Sequence, residues 1–534
     1  MKNHYPSIWG GGQLLAFSGL DGQTDYQNGL CLRTAFDGYA FEVKSFSSSS
    51  SAPRIRYIGS APEEIQLTGD LFRFLTAGKT SCGVIADAWN LLLSGEFEID
   101  ATDAYETIRI GNRTLFAVRG HLNREWLNAD LEQLMAERGR FVADAPVPDD
   151  TPEDYRRAAV KAWSQLKTQI YAPEGQIHTR WSTPDRWPHR QMWLWDSVFH
   201  ALGVRHYSPS LAREIISAMF DVQQPDGMIP HSGNPYDSNP LTQPPVLSLA
   251  MRLINASEPA PKWIAELAPK LARHVEWVFA HRDTDGAGLV EWAISANKNC
   301  RSGESGMDNS PRFDGAIQLD APDFNAFLAY ECESLAQFLP EKRDYWMGHY
   351  QRLCRLMRER LWSEELGLFV DYDVKGNSQS QVMSSAGFLP LYCGAASQEQ
   401  AERLAAHLSN PETFGTPLRV PSVARNCSAY QKDMWRGPVW TNINYLICLG
   451  LERYGFHGLA RSIIQDTLQE QVKWYLRCGT FFEFYDDRQE IEPRSLERKG
   501  ICLPGDNPSF HQVFHDYGWS ATLFLEMLNH PEWI

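Results

Sequence analysis

From Glu153 to the C-terminus, apolar residues recur at three- and four-residue steps in one segment after another. Twelve candidate helices follow, near residues 153–171, 192–206, 208–223, 242–256, 260–281, 320–338, 340–363, 381–393, 397–409, 437–455, 457–475 and 515–529. In the fifth, Trp263, Leu267, Leu271, Val275 and Val278 share one face, and in the eleventh Leu459, Ile463, Leu468 and Val472 do much the same, the stripe of a helix packed on a core. Pro269 inside the fifth is expected to kink or break it. Twelve helices in consecutive hairpins can bury their stripes by closing on themselves. The expected fold class is therefore mainly α, an (α/α)6 toroid barrel whose inner and outer helices alternate and whose long connections gather at one mouth.

The texture is different upstream. Short β-rich runs, Gly29 to Phe36, Tyr39 to Phe46, Arg54 to Ile58, Glu64 to Phe74, Cys82 to Leu93 and Tyr105 to Val118, are separated by Gly, Ser and Asp clusters, which predicts an N-terminal antiparallel β domain over 1–145. Residues 146–152 read as a linker, with Thr151 as cap and Pro152 in the first turn of the barrel segment 153–534. A chain of 534 residues is long enough for such a division,. With 66 acidic against 50 basic side chains the net charge is -16, which repels phosphate backbones and anionic lipid heads, so neither nucleic acid nor membrane is expected as a partner,. Ten cysteines without a C-x-x-C pair, no apolar leader after Met1 and no long apolar run point to reduced thiols in a cytoplasmic protein. Dispersed histidines without H-E-x-x-H spacing, and the absence of P-loop, G-x-G-x-x-G and G-x-S-x-G strings, leave no metal or cofactor to expect.

The connections between helices hold the unusual residues: Trp181 to Trp187, Pro225 to Asn234, Ala293 to Phe313, Val420 to Trp435 and Glu483 to His515, rich in Trp, Tyr, His and Asp. Aromatic content is 12%, more than packing alone requires,. Trp193-Leu194-Trp195-Asp196, with Gln224 and His231, offers flat rings for the apolar face of a pyranose and a carboxylate for its hydroxyls; equally, the two indoles could be core with Asp196 at a helix N-terminus. Asp308, in Ser305-Gly306-Met307-Asp308-Asn309-Ser310-Pro311-Arg312-Phe313-Asp314, could be an acid kept protonated by Met307, Phe313 and the neighbouring charge of Asp314, or an ordinary turn residue. In Phe481-Phe482-Glu483-Phe484-Tyr485, alternation puts Phe481, Glu483 and Tyr485 on one side, a carboxylate among aromatics suited to activating water, or else a solvated edge strand. Trp435-Arg436-Gly437-Pro438 supplies an Arg able to pair with a carboxylate or a hydroxyl, or only opens a helix. Glu291, Glu304, Asp314, Asp320, Asp486, Asp487 and Asp516 are rival acids that residue chemistry does not eliminate.

Six of these blocks, Trp193 to Ser197, Gln224 to His231, Ser305 to Arg312, Trp435 to Trp440, Phe482 to Tyr485 and Trp519 to Ala521, occur in the order in which glycoside hydrolase family 63 and its trehalase-like six-hairpin relatives carry them, and the chain resembles that family over 190–525. The resemblance implies an (α/α)6 catalytic barrel and an inverting, exo-acting α-glycosidase without metal, an α-glucosidase acting on a small α-glucoside or oligosaccharide. It implies Asp308 as general acid and Glu483 as general base. Trp193, Trp195, Asp196, Gln224, His231, Trp435, Arg436, Tyr485 and Trp519 would hold the sugar. The chain departs from the family pattern in a long loop from Asp487 to Tyr517, carrying Glu490, Glu492, Arg494, Glu497 and Arg498, which could wall off the leaving-group subsite. A sugar epimerase or isomerase on the same barrel, distinguished by consuming no water, and a non-catalytic carbohydrate-binding protein, which would need no acid/base pair, are the alternatives. Aglycone, the choice of glucose or mannose, and oligomeric state are not legible in the residues.

Overall fold

The computed structural model describes residues 6–44, 53–297, 299–500 and 513–533. The end of the run reaching Phe46, Cys502 and residues 501–512 of the long loop lie outside the described residues.

Among the described residues eleven strands fill the N-terminal part: β1 (Leu14–Ala16), β2 (Cys31–Thr34), β3 (Ala40–Lys44), β4 (Arg54–Tyr57), β5 (Glu64–Leu67), β6 (Leu71–Thr76), β7 (Lys79–Ile85), β8 (Asn90–Ser94), β9 (Phe97–Ile99), β10 (Tyr105–Ile110) and β11 (Arg113–Val118). They form two antiparallel sheets, β1-β2-β3-β4-β9 and β10-β11-β8-β7-β6-β5. Three of the long runs read from sequence each hold a hairpin rather than one strand. Period-2 alternation sends Phe72, Phe74, Leu91, Leu93 and Phe116 into the core between the sheets, and Leu71, Leu92 and Leu115 to the opposite face,. A sheet apolar on both faces needs a cover, and Leu127, Leu131, Leu134 and Met135 provide it. Most of these lie on α1 (Leu131–Asp144), a helix that the β reading of this stretch omits; Asp130 caps it by accepting from Gln133 N–H,.

The remaining helices are α2 (Glu153–Thr168), α3 (Leu194–Val204), α4 (Pro209–Asp221), α5 (Leu247–Ser257), α6 (Pro261–Arg282), α7 (Pro322–Phe338), α8 (Arg343–Leu356), α9 (Leu389–Cys393), α10 (Gln398–Ser409), α11 (Thr441–Arg453), α12 (His457–Cys478) and α13 (Gly518–Leu528). Contacts run α3 to α5, α7, α9, α11, α13 and back to α3, a closed ring of inner helices with the others outside. Sequence separates the two sets. Every residue of α3 and α13 is buried, whereas α8 buries only Trp346, Leu353 and Cys354; a helix apolar all round belongs inside, an amphipathic one outside. The (α/α)6 barrel expected from the periodicity is the observed fold.

Several boundaries differ from the periodicity, each for a local reason. Pro269 does not interrupt α6: both Pro269 and Ala265, whose carbonyl loses its partner, face solvent, where water replaces the missing bond. Pro152 itself occupies the N-cap of α2, and Thr151 makes no capping bond. Helix α5 starts only at Leu247, since Pro244 and Pro245 disfavour the preceding helical turn,, and the α9 segment shrinks to five residues behind a 3-10 turn, Ser385–Phe388.

The sandwich is bonded to the barrel. Leu14 N–H donates to Asp516 Oδ2 (2.8 Å), an oxygen also paired with Lys161 (2.7 Å), and Arg186 donates to the carbonyls of Phe17, Thr168 and Ile170. Among the described residues no helix is long and apolar enough to cross a membrane.

The connection before α7 is held by Arg312, whose side chain has no solvent exposure. Its guanidinium donates to both oxygens of Asp323 (2.7 and 2.8 Å) and both of Asp371 (2.6 and 2.9 Å), a double fork that fixes the loop on α7. Burial lifts Asp371 to about 6 against the pull of Arg312, with the charge of Asp323 adding to the rise, so removing the cation leaves two buried carboxylates uncompensated. Arg312→Ala is expected to lower unfolding stability by about 3–5 kcal/mol, read as a lower urea midpoint. An unchanged midpoint would show that the pair of forks is not what holds this loop.

Candidate active site

Five of the six connections that enter inner helices converge on one cavity of ≈ 200 Å³. The segment before α3 and the first turn of that helix contribute His189, Trp193, Trp195 and Asp196; the segment before α5, His231 and Gln243; that before α7, Cys300, Gly303, Gly306 and Asp308. The segment before α11 contributes Met434, Trp435 and Trp440, that before α13 contributes Glu483, Arg498, Lys499 and Tyr517, and the first turn of α13 adds Trp519. Helix N-termini thus face the cavity, where partial positive charge favours carboxylates.

Rings form most of the wall. Trp435 stacks on Trp440 with centroids 3.7 Å apart, Trp519 meets Trp195 edge-on at 5.3 Å, and Trp193 meets His231 at 4.6 Å. Gly306, at φ 70°, passes so close that a Cβ there would lie 2.3 Å from Trp195 Cζ2; the position needs glycine for both conformation and space. Asn309 ties the same loop to the next one, donating to Asp433 Oδ2 (3.0 Å) and accepting from Trp435 N–H (3.0 Å).

Asp196 sits in the first turn of α3, buried. Burial holds its carboxyl well above the usual range; its backbone bond opposes this and the charges of Glu483 and Asp185 add to it. The protonated form so favoured can donate as well as accept. Tyr517, whose hydroxyl lies 3.5 Å from Asp196 Oδ1, follows Asp516, the residue gripped by β1 and Lys161. The β sandwich therefore fixes one wall of the cavity from outside the barrel.

Asp308 and Glu483 each meet a cation. Arg498 donates through Nε to Glu483 Oε2 (2.9 Å) and through Nη2 to Oε1 (3.2 Å), and Lys499 Nζ lies 2.8 Å from Asp308 Oδ2. Burial pushes Asp308 up, but the Lys499 ammonium, with Arg498 and His231, outweighs it and leaves the carboxyl below its usual value. The neighbouring negative charge expected from Asp314 is not there. Asp314 is 51% exposed and turned away to Arg436 (2.6 Å).

Of the residues singled out in the sequence, Trp193, Trp195, Asp196, His231, Asp308, Trp435, Glu483 and Trp519 line the cavity together. Gln224, Arg436 and Tyr485 do not. Gln224 donates its amide to Val222 O; Arg436 is taken by Asp314 and Asn309 O; the Tyr485 hydroxyl turns back to accept from Phe482 N–H at 3.0 Å. Tyr485 fails the alternation because residues 481–485 make isolated bridges to Val439 and His515 rather than a strand. The rival acids are engaged elsewhere: Glu304 with Arg282, Asp486 and Asp487 with Lys432, Asp320 with Arg360, Glu291 with Thr284 N–H and Gln318. Sequence reading missed Gln243, Tyr517, Arg498 and Lys499 as lining residues. Tyr517 adjoins the Trp519 block, and the two cations lie in the long loop already marked as unusual, so these had a signal; Gln243 had none.

A family model described as the mannosylglycerate hydrolase MGH1-like glycoside hydrolase domain matches residues 189–494. A mannosylglycerate hydrolase of Thermus thermophilus is 28% identical over 388 residues, covering 55% of this chain and 88% of its own. A glucosylglycerate hydrolase of Mycolicibacterium hassiacum is 22% identical over 406 residues, 57% of this chain and 88% of its own. The crystal structure of a family 63 mannosylglycerate hydrolase from Thermus thermophilus in complex with glucose superposes with a TM-score of 0.56 at 25% identity, covering 69% of this chain and 99% of that one. The matched span holds the cavity residues from His189 through Glu483, and with the barrel around them it makes the chain a member of the mannosylglycerate hydrolase MGH1-like glycoside hydrolases of family 63, a glycoside hydrolase.

Proposed function

We propose that this glycoside hydrolase is an inverting, exo-acting α-glycosidase, most simply an α-glucosidase, acting on a small α-glycoside, with Asp308 as general acid and Glu483 as general base. The observation that carries the reading is the shared cavity: Asp308 and Glu483, from the connections before α7 and α13, line one space walled by Trp193, Trp195, Trp435 and Trp519. Its ≈ 200 Å³ is below the roughly 300–1,000 Å³ of drug-sized pockets, which favours one sugar with a small aglycone over a long oligosaccharide. The mannosylglycerate and glucosylglycerate hydrolases among its relatives supply the first substrates to try.

Asp308 gives its proton to the departing glycosidic oxygen. Glu483 takes one from a water approaching the opposite face of the anomeric carbon, and charge in the oxocarbenium-like transition state is spread over the ring. Arg498, permanently charged and bidentate on Glu483, keeps that carboxylate ready to accept. The indoles stack on the pyranose, and Asp196 with His231 bonds its hydroxyls.

Asp308→Asn and Glu483→Gln are each expected to lower turnover by about 10²–10⁴-fold with the helical circular dichroism of the folded barrel retained; full activity in both would remove the mechanism. The anomer first released, followed by NMR on α-glucosides and α-mannosides, is expected to be inverted. A retained anomer, or cleavage confined to β-linked substrates, would overturn the reading.

A further inference from the structure

Arg498 and Lys499 are neighbours in the loop that departs from the family pattern, and they reach two different carboxylates. Their placement is fixed by backbone bonds. Glu497 N–H donates to Lys432 O (3.1 Å), Met434 N–H to Glu497 O (3.1 Å), and Gly500 N–H to Asp433 Oδ2 (2.9 Å), the oxygen that also holds Asn309. Lys499 adopts φ 59°, a left-handed conformation that a lysine keeps where its surroundings over-determine it. Its ammonium and the Arg498 guanidinium are largely withdrawn from water, with side chains 15% and 3% exposed.

The two pairs suit their carboxylates differently. An arginine on a base that must stay ionised is helpful, and Arg498 is further fixed over the Phe514 ring (4.4 Å). A lysine on an acid that must carry a proton is not. The groups facing Asp308 are Lys499, Arg498, the His231 ring and the Cys300 thiol. Burial lowers His231 to about 4 and raises Cys300 to about 12, so both are neutral near pH 7 and the charges on Asp308 are the two cations. While Lys499 is paired with it, Asp308 is therefore held as a carboxylate, without the proton a general acid must give. Freeing it strands the Lys499 ammonium in a nearly dry site, unless another anion takes it.

We propose, on the basis of the hydrolase reading above, that Lys499 is a specificity-determining residue. It releases Asp308 to an anionic group, carboxylate or phosphate, on the leaving part of the substrate, and that exchange lets Asp308 be protonated for catalysis. The flexible four-carbon stem of lysine allows the move that the Arg498 fork does not. As the ammonium shifts, still charged, Asp308 takes one proton from solvent. It gives this proton to the glycosidic oxygen as the bond from the anomeric carbon to that oxygen breaks. Water forms the new bond to carbon and loses a proton to Glu483, which returns it to solvent, so one water is consumed and the proton count closes.

The test compares a glycosyl-glycerate, its glycosyl-glycerol analogue with CH2OH in place of the carboxylate, and a glycosyl-glycerol phosphate, on the full chain and on Lys499→Met, with Lys499→Gln as a second variant should the first fail to fold. The wild type is expected to favour at least one anionic substrate over the neutral one by about 10²-fold in kcat/KM; which one identifies carboxylate or phosphate. In the variant the preference is expected to fall to within about threefold. Removing the ammonium raises Asp308 in the free enzyme, so the basic limb of the kcat/KM profile for the neutral substrate is expected to move to higher pH. A purely structural role would lower all three rates together and leave the limb in place. An unchanged preference, or an unmoved limb, overturns this inference alone. A wild type that hydrolyses no α-glycoside overturns the hydrolase mechanism and this inference with it.

Discussion

Arg312 has no contact with water, and the four carboxylate oxygens of Asp323 and Asp371 surround it. Such a cluster cannot open piecemeal, because releasing any member leaves a buried charge without its partner. The loop from Ser305 to Phe313 therefore has one position relative to α7 (Pro322–Phe338). Everything else in the cavity is measured from it. Gly306 lies against Trp195, Asn309 bonds the segment at Asp433 to Trp435, and that segment in turn pairs with Glu497 and Gly500. One buried cation registers the connections before three inner helices.

The cavity holds opposite charges in close alternation: Asp308 with Lys499, Glu483 with Arg498, and Asp196 among aromatic rings. In this space the two aspartates are set apart by their surroundings, not by their residue type. Asp196, in the first turn of α3, is pushed toward the neutral form by burial; Asp308, a loop aspartate, is held ionised by Lys499. The loop beyond Asp487 is thus part of the electrostatics of the site, not only a wall around it.

Much of the fold was legible because barrel helices must advertise what they bury. The twelve helical segments, the apolar character of α3 (Leu194–Val204) and α13 (Gly518–Leu528), and the β texture before Val118 follow from periodicity alone. What periodicity misjudged were competitions. Pro269 was tolerated because the orphaned carbonyl faces water; α1 (Leu131–Asp144) was overlooked although Leu131, Leu134, Met135 and Val142 mark its buried face. Tyr485 was expected beside Glu483 by strand alternation, but no strand forms there, and Arg436 was spent on Asp314.

By itself the sequence determined the closed helical barrel, the aromatic connections and the ordered blocks containing Asp308 and Glu483, since these rest on local spacing and residue chemistry. It could not tell which of the loop acids face one another or what charge each meets. Those depend on residues more than a hundred positions apart, Leu14 on Asp516, Asn309 on Asp433, Lys499 on Asp308. Only folding brings them within a few ångströms, where Coulomb interactions and loss of water decide the state of each group.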